Sequence, residues 1–99
     1  MQKINICGIP HTIVEIEDKF NADTIHYGQI EYSKCEITIN KNIPDELKKE
    51  TLCHEIVHGM LYHLGFFEQY TDERLVQALG NAIYQSFDIK IEEVPDEQE

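Results

Sequence analysis

Residues 52–60 read Leu52-Cys53-His54-Glu55-Ile56-Val57-His58-Gly59-Met60, and the spacing of the two histidines decides what the surrounding chain must build. On an α-helix, positions four apart differ by about 40° and rise about 6 Å, so His54 and His58 project from one face and can grip one ion. Glu55 lies on the flank of that pair. Two neutral imidazoles plus a carboxylate placed to take a proton from water form the donor set that zinc hydrolases need.

The flanking residues support a helix. Pro44 suits a first turn, Asp45 and Glu46 complement the positive end of the helix dipole, and Gly65 is placed to stop the helix. This predicts one helix of about 20 residues, about 30 Å long, from near Pro44 to near Leu64. At about 100° per residue, His54, His58, Thr51 and Tyr62 fall in one sector of about 80°. Leu52, Cys53, Ile56, Val57, Met60 and Leu64 fall on the opposite side, which is the expected core stripe. The competing reading is a pair of surface histidines with no ligand.

Two histidines need a third protein ligand. A histidine-rich zinc pattern would require glycine at position 61 and histidine at position 64, where the chain has Leu61 and Leu64. His63, nine residues from His54, points about 180° away on a continuous helix and is expected to interact with the helix C-terminus. The third ligand is then a carboxylate from Glu68, Asp72 or Glu73. A second helix can start at Thr71 and run to about Gln85 or Phe87, with Leu75, Val76, Leu79, Ala82 and Ile83 as its apolar stripe. Glu73, Gly80 and Tyr84 share a neighbouring face, and Gly80 lets another backbone approach on the Glu73 side, which favours Glu73. Asp72 is assigned to helix-end electrostatics.

Upstream, the first forty residues read as β. Ile4 and Ile6 alternate with polar neighbours, Gly8-Ile9-Pro10-His11 supplies turn chemistry, and Thr12, Val14 and Ile16 resume a period of two with Ile13, Glu15 and Glu17 on the other face. After a polar connection from Asp18 to Gly28, residues 29–32 and 35–40 form a second hairpin around Ser33-Lys34, with Cys35, Ile37 and Ile39 on one face. Phe87, Ile89 and Ile91 permit a last short strand or an extended tail. The expectation is an α+β domain over residues 1–92, a small, mostly antiparallel sheet packed on the long helix and a second helix. Residues 93–99 read as an acidic tail, disordered from Pro95.

Composition bounds the function. Ninety-nine residues with 41% apolar and 27% charged content make one small domain. Nineteen acidic against 8 basic side chains give a net charge of −11, which repels phosphate backbones and argues against nucleic acid as a partner. Asp88, Glu92, Glu93, Asp96, Glu97 and Glu99, against one Lys90, carry much of that charge. No apolar run approaches the ~18 residues that span a bilayer, and Met1-Gln2-Lys3-Ile4-Asn5 lacks a signal-like apolar stretch, so a cytoplasmic protein without a membrane partner is expected. Cys7, Cys35 and Cys53 are widely spaced and odd in number, which reads as three reduced, mostly buried thiols.

The stretch Lys48-Lys49-Glu50-Thr51-Leu52-Cys53-His54-Glu55-Ile56-Val57-His58, followed by Asp72-Glu73-Arg74-Leu75-Val76-Gln77-Ala78-Leu79-Gly80-Asn81-Ala82, resembles the ImmA/IrrE-type metallopeptidases. These are zincins common in bacteria, phages and prophages, and the chain is most similar to their short phage-type members. The likeness covers about residues 29 to 87. It implies a minimal zincin-like fold and a gluzincin-like site, with His54, His58 and Glu73 as Zn2+ ligands and Glu55 as general base or acid. It also implies that the strand from Cys35 to Asn40 is an edge to which an extended peptide adds. Cys53 stands where the family commonly has alanine, and the chain lacks a helix-turn-helix or a sizeable specificity domain.

The leading expectation is therefore a zinc metalloprotease acting on a peptide or protein, with a transcriptional repressor as the first candidate by likeness. Tyr62, Tyr70, Tyr84 and His26 are candidate donors to the oxyanion. The rival expectation is a catalytically weak or inactive zincin-like domain, stapled by metal, that works by binding a regulatory protein. A third reading makes the acidic surface a mimic of nucleic acid.

Overall fold

Cys7 and Gly8 turn the first hairpin, both with positive φ (54° and 78°), the requirement of the two-residue turn whose twist matches its strands. In the computed structural model, which describes residues 1–17 and 27–96, that turn joins β1 (Gln2–Ile6) to β2 (Ile9–Ile16). The expected connection over residues 18–26, His26 among them, and residues 97–99 of the expected tail lie outside the described residues. The turn sits earlier than Gly8-Ile9-Pro10-His11, and Pro10 belongs to β2 opposite Asn5. This placement sets which side chains enter the core. Ile4 faces inward, its partner His11 must share that face, and so must Ile13 two residues on. His11 and Ile13 are indeed buried, whereas Ile16 is 43% exposed.

β3 (Gly28–Glu31) and β4 (Glu36–Asn40) form the second hairpin. Its connection is a single 3-10 turn, Tyr32–Lys34, closed by Cys35 in the left-handed region at φ 49°. The strand order is β3-β4-β2-β1-β5, with β5 (Glu92–Glu93) on β1. Three pairings are antiparallel, but β2 and β4 run parallel, so the sheet is mixed. β4 takes an inner position because Ile37 and Ile39, 0% and 3% exposed, must be covered, while half-exposed β3 is left at the edge. Glu93, placed by sequence in the tail, pairs with Gln2, and the N-terminal ammonium lies 3.7 Å from Glu93 and 3.1 Å from Asp96.

α1 (Asp45–His63) follows Pro44 and ends before Gly65, whose φ of 85° admits the N–H of Gly65 to the carbonyl of Tyr62. It lies on the sheet against β1, β3 and β4. Ile4, Ile6, Ile13, Ile37 and Ile39 from the sheet and Leu52 and Ile56 from α1 make one core, flanked by Ile30, Ile43 and Ile89. α2 (Glu73–Ser86) packs on α1. Being covered on two sides, α1 is buried around its middle, Thr51, Glu55 and His58 included, while Met60 and Leu64 of the expected stripe are 37% and 62% exposed. On α2 only Val76 and Gly80 are buried, and Leu79 is 40% exposed.

The architecture is α+β, a five-stranded mixed sheet and two helices. Among the described residues, no helix is long and apolar enough to cross a membrane. The three cysteines are free, but only Cys53 is buried; Cys7 is exposed in its turn.

Candidate metal centre

His54 and His58 stand one turn apart in the middle of α1, their rings 5.0 Å apart between centroids. The third member comes from the start of α2. Asp72 caps that helix by accepting the N–H of Leu75 at 3.1 Å, which makes Glu73 its first residue. Gly80 holds the helices together at this level: a Cβ there would sit 3.1 Å from His54 Cα and 3.2 Å from His54 N. Glu73 thereby reaches both histidines, with Oε2 3.0 Å from His54 Nε2 and Oε1 3.0 Å from His58 Nε2. The ligand atoms of His54, His58 and Glu73 all lie within 4.8 Å of one another. Asp72 serves as the cap, and Glu68 is not in the group.

The outward nitrogens determine the tautomers. His58 Nδ1 lies 2.6 Å from the carbonyl oxygen of Tyr70, which can only accept, so Nδ1 carries the hydrogen. His54 Nδ1 likewise donates to Gln77 Oε1 at 2.8 Å. With a hydrogen on each Nδ1, each ring turns its Nε2 toward a Glu73 oxygen. Lone pairs facing each other at 3.0 Å repel unless a proton or a cation lies among them. Two imidazole nitrogens and a carboxylate, each ring anchored through its far nitrogen, are a donor set that could hold a metal ion.

Glu55 is 6% exposed beside this group. Burial pushes its carboxyl above the usual carboxylate range; nearby His58 and His54 oppose that, and Glu73 adds to it. Glu55, His54, Thr51 and Gln77 border one open cleft of about 270 Å³, so the carboxylate and the metal group share access to solvent.

Other expectations are redistributed. His63 does not cap the helix: its Nε2 lies 3.2 Å from Nε2 of His11, which is completely buried. Burial and His11 together lower the proton affinity of His63, the reverse of a cationic cap. Tyr84 donates to Glu46 at the other end of α1. Tyr62 stacks on Tyr32 at 4.2 Å between centroids, and Tyr70 meets both edge-on. Tyr32, which sequence reading overlooked, has its hydroxyl pushed up to about 12, first by burial and then by Glu55, Tyr70 and Glu73, so it stays a hydrogen-bond donor at neutral pH. Gln77 was overlooked too, although one helical turn after Glu73 is a legible position.

Comparison with known protein families, curated proteins and solved structures finds no match to this chain.

Proposed function

We propose that the chain is a zinc-dependent peptide hydrolase in which His54, His58 and Glu73 hold the metal and Glu55 is the general base. The observation that carries this reading is the convergence of two Nε2 atoms on Glu73, each ring fixed by a hydrogen bond from its opposite side. The motif likeness to ImmA/IrrE-type zincins points the same way. By that likeness the setting is cytoplasmic and the substrate a regulatory protein.

Zinc bound there supplies a Lewis acid that activates water near neutral pH and polarises a peptide carbonyl. Glu55 takes the proton of the attacking water and returns it to the leaving amine. Burial raises the proton affinity of Glu55, which suits a group that must hold a proton briefly between two partners. Gln77 and the Tyr70 carbonyl keep the two imidazoles in the tautomer that ligates. The strand open to an added peptide is β3, because β4 is paired on both sides and is not an edge.

A second reading, metal as a staple without turnover, is favoured by the way Glu73 ties the start of α2 to the middle of α1. One experiment separates the two. Protein purified without chelator is expected to carry about one zinc per chain by elemental analysis, in wild type and in Glu55→Gln alike. Only wild type is expected to cleave a degenerate peptide library. Zinc without cleavage in either form leaves the staple, and no bound zinc after supplementation removes both readings.

A further inference from the structure

We infer that the cleft beside His54 and Glu55 selects a lysine or arginine side chain of the substrate, with Glu50 receiving its cationic end. This rests on the hydrolase reading and adds the substrate class. The cleft, about 270 Å³, is sized for a side chain and not for a drug-like molecule. Its walls are Tyr27 and Gly28 at the start of the edge strand and Leu47, Glu50 and Thr51 on α1. A Cβ on Gly28 would fall 2.7 Å from Thr51 Cγ2 and 2.8 Å from the Thr38 carbonyl oxygen, so glycine is what lets the strand lie against the helix here and close that side.

The chemistry of the walls is divided. Leu47, the Thr51 methyl and the ring of Tyr27, 42% exposed, offer apolar surface for an aliphatic stem. Glu50 offers charge. Among the described residues, no lysine or arginine borders the cleft. The neighbouring cations on α1 are engaged elsewhere, Lys48 with Glu15 at 2.6 Å and Lys49 with Glu46 at 4.0 Å. Among the described residues Glu50 has no ion pair, so a substrate cation meets an uncompensated carboxylate one turn before the ligand His54. A net charge of −11 attracts such a substrate to the protein as well. A peptide lying along β3 sends alternate side chains to opposite faces, which brings one of them to this cleft.

The test uses the full chain with zinc added, in the Glu55→Gln form so that nothing is consumed. Amide NMR titrations with N-acetyl-arginine methylamide and with its neutral citrulline isostere are compared. The arginine compound is expected to shift Tyr27, Glu50 and Thr51 and to bind at least about tenfold more tightly, a difference of about 1.4 kcal/mol, and Glu50→Gln should erase that difference. Equal binding of the two compounds, shifts confined to another face, or a preference that survives Glu50→Gln overturns the inference. In a second arm, wild type digests a degenerate peptide library, with lysine and arginine expected at one fixed position from the cut and lost in Glu50→Gln. Cleavage without that enrichment overturns the inference. An uncut library with arginine docking intact sinks the hydrolase reading and leaves the selectivity of the cleft standing.

Discussion

α1 brings histidine nitrogens into contact at two places, and the contacts differ in kind. In its middle, His54 and His58 each point Nε2 at an oxygen of Glu73, 3.0 Å away. At its end, His63 and His11 meet Nε2 to Nε2 at 3.2 Å, and His11 Nδ1 donates to the Ile9 carbonyl at 2.7 Å. His11 therefore presents a lone pair, His63 supplies the hydrogen, and one proton satisfies the pair. The central group differs, because each ring donates its Nδ1 hydrogen to Gln77 or Tyr70 and turns Nε2 toward a carboxylate, so a further proton or a metal ion must lie between them. Two histidines in contact do not make a metal site; the tautomer each is locked into, and the carboxylate opposite, decide whether the group could hold a metal ion.

The largest effect should come from deleting a member of the central group. His58→Ala or Glu73→Ala is expected to abolish stoichiometric zinc, a loss beyond about 100-fold in affinity by competition with a chelating dye, whereas His63→Ala keeps about one zinc per chain. If His63→Ala lost the metal as completely, the two contacts would not be distinct. Next, His11→Ala should lower stability by about 2–4 kcal/mol in urea unfolding, since it empties a fully buried site and removes the hydrogen-bond partner of His63, with zinc stoichiometry unchanged. Gln77→Ala tests the anchoring of a ligand ring and should weaken zinc about tenfold while leaving the fold in place. A Gln77→Ala protein with wild-type affinity would remove the tautomer argument for His54.

The smallest effect is a pH dependence. His63 has its proton affinity lowered below the ordinary 6.5, so the unfolded chain binds that proton more readily than the folded one. Its contribution is intact above 6.5 and is lost as pH falls through 6.5 toward the lower folded value. Denaturant unfolding of metal-free wild type and His63→Gln between pH 7.5 and 5 should therefore show the steeper decline in wild type, about a few tenths of a kcal/mol because the ring is only part-buried and screened by solvent. Equal slopes would show that folding does not lower the proton affinity of His63.

The helices were legible in the sequence, and the sheet was legible only in part. Pro44, Gly65 and Asp72 are local signals, each acting through its own backbone, and each stands where α1 or α2 begins or ends. Gly80 was read as a close approach and lies against His54. The first hairpin was misplaced because Gly8-Ile9-Pro10 carries turn chemistry as strong as Cys7-Gly8, and the misplacement turns the wrong face of β2 inward. Alternation tells which residues share a face but not which strand lies beside which, so neither the parallel pairing of β4 with β2 nor the edge position of β3 was visible.

By itself the sequence determined the spacing of His54, Glu55 and His58, a property of one helix, and narrowed the third carboxylate to neighbours on the next. Only the tertiary structure decided which way each ring nitrogen faces, since that depends on Gln77 and the Tyr70 carbonyl arriving from another element. The same holds for His63, taken from the helix end by a partner 52 residues away, and for Glu50, unremarkable in the chain until β3 closes a cleft beside it. Hydrogen bonds and burial are pairwise and long-range, and periodicity records only what a residue shares with its own turn.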